Sequence, residues 1–448
     1  MSGNGVHGWA TASIGEVCRL VNGRAFKPTD WTKEGLRIVR IQNLNDLAAP
    51  FNHFVGAVDS RFLIDSGRLL FAWSGTPGTS FGAHIWARGK AILNQHIFQL
   101  HFDEMQLDKQ FLRFAINSKL TELIGMAHGG SGLAHVTKPM FEATIIPVAP
   151  FAEQRRIVAK LGMLLSTVEV CQQRLAKIPP ILKRFRQSIL AAACSGRLTA
   201  DWRDQQNSAV AWSKTTIDVV CEIIGGSQPP KKHFIHQPRS GYIRFIQIRD
   251  YKSDRHLTYI PRELARRFCS KTDVMIGRYG PPLFQILRGI EGTYNVALMK
   301  AVPKSRDKLL NDFLFLLLQN PPLRSYIINA SERTVGQDGV RKDLLEAYEV
   351  ELPPVVEQQE IVWRVEALFA FADKIEARIA KARAHVDRLT ASLLAKAFRG
   401  ELVPQDPNDE PASTLLERMR LSRQTAAESE PAKPAKPARV RRHVAVGG

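Results

Sequence analysis

A long internal repeat restricts the fold of this chain more than any other feature of its sequence. The segment PFAEQRRIV, which begins at Pro150, returns as PVVEQQEIV at Pro354, and the offset of 204 residues then holds without gaps. The residues paired by this offset include Glu153 and Glu357, Gln154 and Gln358, Ile157 and Ile361, Arg174 and Arg378, Lys177 and Lys381, Arg184 and Arg388, Ser188 and Ser392, Gly196 and Gly400, and Leu198 and Leu402. A match of this length predicts a duplicated chain.

The segments ahead of the two blocks match more weakly. Ile41-Gln42 pairs with Ile246-Gln247 at an offset of 205, and Lys138 pairs with Lys342 at 204. Each copy is therefore predicted to be a divergent unit of roughly 150 residues followed by a better-matched block.

Both better-matched blocks have the apolar pattern of a coiled-coil helix. Apolar residues alternate at spacings of four and three, which gives the heptad period. In the first block they are Ile157, Leu161, Leu164, Val168, Cys171, Leu175, Ile178, Leu182, Phe185 and Ile189, and in the second Ile361, Val365, Leu368, Ala372, Ile375, Ile379, Ala382, Val386, Leu389 and Leu393. The same pattern in both copies favours a helix pair over a helix that packs only on its own domain.

The sequence also predicts the ends and shapes of these helices. Gly196 and Gly400 are suited to the left-handed conformation that ends a helix. Pro179-Pro180 interrupts the first helix, so a kink is expected there and not in the second. A pseudo-twofold relation would run the helices antiparallel, with the globular units at opposite ends. A helix from Ala152 to Ile178 is ~40 Å long, close to one turn of DNA.

The divergent units are predicted to be mixed α/β domains. Strand-like runs at 37–41 and 242–246 lie between Gly- and Pro-rich breaks, and helical spacing follows at 110–124 and 312–328. The predicted architecture is two similar globular domains separated by two long helices that form an antiparallel coiled coil. The predicted boundaries are a first domain at 1–150, a central helical spacer at 151–208, a second domain at 209–354, a C-terminal helical spacer at 355–423 with a short helix near 413–422, and a disordered basic Ala/Pro tail at 424–448.

The charge of the chain points to a polyanionic partner. Lys and Arg number 62 against 43 Asp and Glu, a formal charge of +19, which makes nucleic acid the first candidate. The five cysteines are widely spaced, which argues against a disulfide framework or a zinc site and fits a reducing compartment. We find no secretory signal and no apolar run of membrane-spanning length, so a cytoplasmic protein is expected.

The sequence offers little catalytic chemistry. It has no phosphate-binding loop, no nucleophile elbow and no H-E-x-x-H pair. Asn320-Pro321-Pro322-Leu323 is similar to the Asn-Pro-Pro-aromatic motif of amino-directed DNA methyltransferases, but Leu323 stands in the place of the aromatic residue. A turn that ends a helix is the simpler interpretation. We therefore expect no catalytic, cofactor or metal site.

The polar side chains that remain are suited to binding DNA. Arg, Asn and Gln can form paired hydrogen bonds with base edges, whereas Lys suits phosphates. The candidates in the first unit are Arg37, Arg40, Gln42, Asn43, Asn94, Gln95 and Lys138, and those in the second are Lys231, Lys232, Arg244, Gln247, Arg249, Arg278 and Lys342. A solvated basic face is the alternative for any one of them, but both units place such groups in corresponding stretches.

The order of divergent unit, helical block, second divergent unit and second helical block resembles the specificity (S) subunit of type I restriction-modification systems. The residues that carry the resemblance are the blocks at 150–158, 178–193 and 195–199, which include the Pro-x-x-Glu-Gln and Ser-Gly-x-Leu-Thr motifs, with their partners in the second copy. The resemblance covers roughly residues 9–422 and does not include the basic tail.

The resemblance implies a function, partners and cofactors. The two units would be target recognition domains that each read one half of an asymmetric bipartite DNA site, and the helices would fix the gap and dock two modification (methyltransferase) subunits. Those subunits would bind S-adenosylmethionine and methylate adenine at N6, and restriction subunits that use ATP could join. The chain itself would be non-catalytic and bind no cofactor. Two alternatives stay open: a stand-alone DNA-binding scaffold or regulator, and a free-standing DNA-modifying enzyme.

Overall fold

A computed structural model of the chain divides into two units. The structure describes residues 6–46, 48–75, 81–127, 134–206, 211–332 and 339–429. Unit 1 combines Met1–Gln173 with Arg383–Gly448, and unit 2 is Arg174–Ala382. None of the helices in these stretches is both long and apolar enough to cross a membrane.

Helices and short strands alternate along both copies. The helices are Ile14–Val17 (α1), Ile41–Asn45 (α2), Lys109–Ser118 (α3), Leu120–Met126 (α4), Lys138–Ala143 (α5), Phe151–Ala176 (α6), Ile178–Ala193 (α7), Ala200–Gln205 (α8), Ile217–Val220 (α9), Asn311–Leu318 (α10), Pro321–Glu332 (α11), Lys342–Glu346 (α12), Val355–Phe398 (α13) and Ala412–Ser429 (α14). The strands of the first copy are Ala10–Ser13 (β1), Arg19–Asn22 (β2), Leu36–Val39 (β3), Asn52–Phe54 (β4), Leu63–Ile64 (β5), Leu69–Ala72 (β6), Ser74–Gly75 (β7), Gly82–Ile85 (β8), Ala91–Leu93 (β9), Ile97–His101 (β10), Ala134–His135 (β11) and Ile145–Val148 (β12). Those of the second copy are Ser213–Thr216 (β13), Cys221–Gly225 (β14), Tyr242–Ile246 (β15), Tyr259–Pro261 (β16), Phe268–Cys269 (β17), Val274–Gly277 (β18), Gln285–Arg288 (β19), Gly292–Tyr294 (β20), Leu298–Pro303 (β21) and Glu349–Leu352 (β22).

The two units have the same sheet topology. Unit 1 has one sheet in the order β2-β10-β6-β8 and another in the order β4-β3-β9-β5, and unit 2 repeats them as β14-β21-β18-β19 and β16-β15-β20-β17. In the second sheet of each unit, one pair is parallel: β3 with β9, and β15 with β20. The predicted mixed α/β fold and its internal repeat are confirmed.

The sheet register corrects one detail of the sequence alignment. Val39 ends β3 opposite Leu93, and Ile246 ends β15 opposite Tyr294, so Val39 corresponds to Ile246. Arg40 therefore corresponds to Gln247, and the match of Ile41-Gln42 with Ile246-Gln247 is displaced by two residues. The Ile-Gln pair occurs by chance at both places, and the strands are too short for the sequence to distinguish this match from the structural register.

Every position of the predicted heptad seam but one is buried or half-buried. In unit 2, Leu182 of α7 is buried with Ala372 and Ile379 of α13, and in unit 1, Ile157 and Leu161 of α6 are buried in one core with Ala397. Cys171 is an exception, because its side chain is exposed. The remaining seam contacts supply the apolar burial that stabilises the helix pair within each unit.

Polar contacts fix the antiparallel direction within each unit. In unit 2, Arg186 binds Asp373 at 2.7 Å, while the later part of the first block lies against the start of α13, since Arg364 binds Asp201 at 2.6 Å. In unit 1, Gln172 donates to Asp387 at 3.1 Å, and the earlier Ile157 shares a core with the later Ala397. As the residue in the first block comes later in the sequence, its partner in α13 comes earlier. This confirms the antiparallel arrangement.

The helix ends and the break also match the sequence. The first block divides into α6 and α7 at Lys177, just before Pro179-Pro180, whereas α13 runs unbroken from Val355 to Phe398. Proline lacks the amide hydrogen that would continue the helix, which explains the break. Gly196 and Gly400 follow the helices with φ of +74° and +70°. Beyond Gly400, α14 reaches Ser429, further than predicted, and residues 430–448 of the predicted tail lie outside the described residues.

The repeated Glu-Gln motif holds each helical block to its own domain. Gln154 accepts a hydrogen bond from the Asp108 amide at 2.8 Å, and Gln358 accepts one from the Leu310 amide at 2.9 Å. Glu153 and Glu357 each accept a bond of 3.0 Å from a tryptophan ring nitrogen, that of Trp9 or Trp212. All four motif side chains are buried, so the motif serves the fold.

Candidate nucleic-acid interface

The parallel strand pairs bring polar residues to one edge of the second sheet in each unit. The carboxyl ends of parallel strands meet at the same edge. In unit 1, Arg40 and Gln42 follow β3, and Asn94 and Gln95 follow β9. In unit 2, Gln247 and Arg249 follow β15, and Asn295 follows β20. We call these two places the reading edges.

An asparagine shapes each reading edge in the same way. The Asn94 side chain accepts from the His96 amide at 3.4 Å, and the Asn295 side chain accepts from the Ala297 amide at 3.2 Å. The backbone amides of Asn94 and Asn295 donate to Val39 and Ile246, at 3.1 and 3.0 Å. Asn295 was missed in the sequence, although it is the structural counterpart of the predicted Asn94.

A glycine packs directly against each of these asparagines. A Cβ atom added to Gly23 would lie 2.1 Å from the Asn94 carbonyl oxygen, and one added to Gly226 would lie 1.9 Å from the Asn295 carbonyl oxygen. The glycine amides donate to Ile97 and Leu298, at 3.2 and 3.1 Å. The backbone after β2 or β14 therefore lies directly against the asparagine of its reading edge, and neither glycine position has room for a side chain.

Arginine–aromatic contacts line the edge of unit 1. The Arg40 guanidinium lies 5.3 Å from the Trp31 ring centre, and those of Arg37 and Arg88 lie 5.5 and 5.4 Å from the Phe51 ring. Stacking on a ring orients a guanidinium without neutralising its charge. Gln42 is exposed beside them. These residues form a basic surface suited to DNA.

Gln95 orients a neutral histidine at the same edge. The Gln95 amide nitrogen lies 3.1 Å from His96 Nε2. Desolvation, with the nearby His135 and Arg40, lowers the pKa of His96. The ring is therefore uncharged at neutral pH and can accept the amide hydrogen.

The predicted residues of unit 2 divide into exposed and internally bound groups. Arg249, Lys231 and Lys232 are exposed. Arg244 binds Asp254 at 3.0 Å, and the Gln247 side chain donates to Thr258 at 3.2 Å. The exposed cations are available to a polyanion, whereas Arg244 already pairs with Asp254, an exposed carboxylate of the same unit.

Three predicted residues form bonds within their own unit. Asn43 is 1% exposed and bonds the Arg40 amide and the Ala49 and Pro50 carbonyls. Lys138 and Lys342 each pair with the glutamate one helical turn later, Glu142 at 3.5 Å and Glu346 at 3.3 Å. Asn43 has no polar group left for a base, so we leave it out of the reading edge.

The segment that is similar to a methyltransferase motif is a helix junction. Asn320 lies between α10 and α11, and its carbonyl accepts from the Arg324 amide at 2.9 Å. The described residues contain no group of three or more His, Cys, Asp or Glu side chains placed to hold a metal ion.

Comparison with known proteins identifies the family of this chain. The model of the type I restriction modification DNA specificity domain matches residues 7–179 and again 209–382. The chain belongs to this family, as its repeated motifs predicted.

Individual relatives agree with the family assignment. The specificity subunit of the type I restriction enzyme EcoBI from Escherichia coli is 30% identical over 456 residues, covering 93% of this chain and 92% of that protein. The EcoKI specificity subunit from Escherichia coli strain K12 is 32% identical over 332 residues, covering 69% of this chain and 70% of that protein.

Solved structures share the fold. A chain from a structure on complex assembly and conformational transition of the type I R-M system has a TM-score of 0.69 at 22% identity and covers 90% of this chain and 100% of its own length. The HsdS subunit from Thermoanaerobacter tengcongensis has a TM-score of 0.53 at 22% identity and covers 88% and 98%.

Proposed function

We propose that this chain is the DNA-reading specificity subunit of a type I restriction-modification complex, and that each unit reads one half of an asymmetric bipartite site. One observation carries the proposal: the two reading edges share a backbone but differ in side chains. Arg40 and Gln95 of unit 1 are replaced by Gln247 and Val296 in unit 2. Different side chains on one backbone would select different base sequences.

The chemistry is proposed to belong to partner subunits. Modification subunits would bind S-adenosylmethionine and methylate adenine at N6, and restriction subunits would use ATP, while this chain binds no cofactor and catalyses no step. Methyl transfer by the purified chain without a modification subunit would contradict this division of roles.

The first test is the methylation pattern of DNA in cells. We expect co-expression of this chain with a modification (methyltransferase) subunit from the same organism to give methylated adenines in a bipartite motif, mapped by long-read sequencing. Exchange of residues 9–150 for those of a relative should change one half of the motif and leave the other intact. No adenine methylation that depends on this chain would favour a scaffold or a free-standing enzyme.

An exposed apolar face on α13 is proposed to dock one of two modification subunits. Val356, Trp363 and Phe371 are 63, 65 and 58% exposed, and their spacing of seven and eight residues places them on one side of the helix. Large exposed aromatic side chains are typical anchors of protein interfaces. The first copy has Ala159 and Thr167 at the corresponding positions, so the two docking faces would differ.

We expect the double substitution Trp363→Ala and Phe371→Ala to remove one modification subunit from the complex. Loss of two anchors should weaken that contact about 30-fold or more. Native mass spectrometry of the purified complex would count the subunits, with Met105→Ala, another exposed apolar side chain, as the control. An unchanged subunit count would show that this face does not dock a modification subunit.

A further inference from the structure

Arg278 differs from the other half-buried arginines of unit 2. These arginines are Arg186, Arg203, Arg244, Arg278, Arg288 and Arg364. All but Arg278 form an ion pair with a carboxylate. Within the part of the chain that the structure describes, Arg278 has no such pair, and its buried Nε atom, like that of Arg244, has no hydrogen-bond partner. A half-buried guanidinium without a carboxylate, whose buried N–H group lacks an acceptor, is unfavourable, which points to a ligand with acceptor atoms.

The surrounding residues hold Arg278 at the reading edge of unit 2. Its amide donates to the Ala297 carbonyl at 2.9 Å, next to the turn that Asn295 shapes. Its guanidinium lies 5.2 Å from the centre of the Tyr279 ring. A Cβ atom added to Gly339 would lie 2.6 Å from Tyr279, so this glycine leaves the space that the ring occupies. The planar guanidinium of Arg278, whose N–H donors form a rigid fork, is thus oriented before any ligand binds.

Trp73 takes the place of Arg278 in unit 1. Its amide donates to the His96 carbonyl at 3.2 Å and its carbonyl accepts from Val136 at 2.9 Å, the bonds that Arg278 makes to Ala297 and Val340. The Trp73 ring lies 5.3 Å from His96 and 6.0 Å from His135, and His135 binds the Ser74 hydroxyl at 2.9 Å. Rings and imidazoles therefore replace the guanidinium at the same backbone position.

We propose that Arg278 reads a guanine in the second half-site, and that Trp73, His96 and His135 give the first half-site a different base at the corresponding position. The inference rests on the proposed function. An arginine fork matches the O6 and N7 acceptors of guanine in the major groove, a pattern that other bases lack. The tryptophan and histidine rings of unit 1 offer no such fork.

The test uses the complex of the full chain with its modification subunit and a duplex that carries the mapped motif. We expect 7-deazaguanine, which lacks the N7 acceptor, to weaken binding about tenfold at one guanine of the second half-site. Inosine at that position keeps O6 and N7 and should bind normally. In Arg278→Ala, the same 7-deazaguanine should cause no further loss, whereas Arg306→Ala, which removes an exposed arginine of the same unit, should behave as wild type.

Two further variants separate reading from folding. Arg278→Lys keeps the charge but loses the fork, so it should relax the same base position while the melting temperature stays unchanged. Trp73→Ala should alter only the first half-site. Equal loss of affinity on all duplexes, with a weaker salt dependence, would mark Arg278 as a phosphate contact and overturn the inference. Absence of any bipartite motif in the wild type would instead overturn the proposed function.

Discussion

Glu357→Gln is expected to lower the free energy of unfolding of unit 2 by roughly 3 kcal/mol, whereas the equivalent Glu153→Gln changes unit 1 little. Glu357 is 2% exposed and accepts from Thr199 and Trp212, and it is paired with Arg203. An amide would place its NH₂ group against a donor in either orientation, the Arg203 guanidinium or the Trp212 ring N–H, and would leave Arg203 half-buried without a carboxylate. The expected loss of stability is small for a broken buried ion pair because Arg203 keeps some contact with water.

The repeat supplies the matched control for this substitution. The positions that correspond to Thr199 and Arg203 hold Val403 and Pro407 in the second copy, so Glu153 lacks both partners. Its Oε1 atom is buried without a hydrogen bond among the described residues. Desolvation raises the pKa of Glu153, although the hydrogen bond from Trp9 and the nearby Arg156 oppose this shift. The charged carboxylate therefore disfavours the folded state, and this cost grows as the pH rises through the raised pKa.

Calorimetry with hydrogen exchange would measure both effects. For Glu357→Gln we expect the melting temperature of unit 2 to fall by roughly 5–10 °C, with faster exchange in β13 and β22. For Glu153→Gln we expect an unchanged or higher melting temperature above pH 7. The double variant Arg203→Leu with Glu357→Gln should recover part of the loss, since it removes both charges. Equal destabilisation by the two glutamate substitutions would contradict this account.

Gly226→Ala is expected to abolish recognition of the second half-site. The added Cβ atom would lie 1.9 Å from the Asn295 carbonyl oxygen, a contact that only backbone movement can relieve. The hydrogen bond that the Gly226 amide donates to the Leu298 carbonyl resists movement of Gly226. The Asn295 turn must therefore shift, and the reading edge shifts with it. A displacement of 1 Å is sufficient to break paired hydrogen bonds with a base.

The neighbouring Gly225 provides the control, because a Cβ atom there would meet nothing within 4 Å. Binding assays on duplexes altered in one half-site should show discrimination lost in the second half for Gly226→Ala, and kept for Gly225→Ala. Gly23→Ala should have the same effect on the first half. Normal discrimination by Gly226→Ala at normal stability would show that the Asn295 turn does not position the reading edge.

Local sequence patterns predicted the helices better than the interface. The heptad spacing, Pro179-Pro180 and the two terminal glycines determine helix structure over a few turns, and the structure agrees with them. Asn43, Lys138 and Lys342 have the residue types of a DNA contact, but each bonds inside its own unit. The two lysines pair with glutamates at helical spacing, which the sequence could have indicated, whereas the burial of Asn43 follows only from the fold. The same is true of the places of Trp73 and Tyr279, which no spacing in the sequence brings to the reading edges.

The division of the chain into units has a consequence for its synthesis. Unit 2 is formed by one continuous stretch, Arg174–Ala382, whereas the core of unit 1 includes Ala397, Ala412 and Met419 as well as residues near the start of the chain. During translation, unit 2 can therefore complete its fold before unit 1. The N-terminal part of unit 1 then keeps some of its apolar surface exposed until α14 has been synthesised. Slow elongation through the codons for residues 383–429 would lengthen this exposure and favour chaperone capture of the nascent chain.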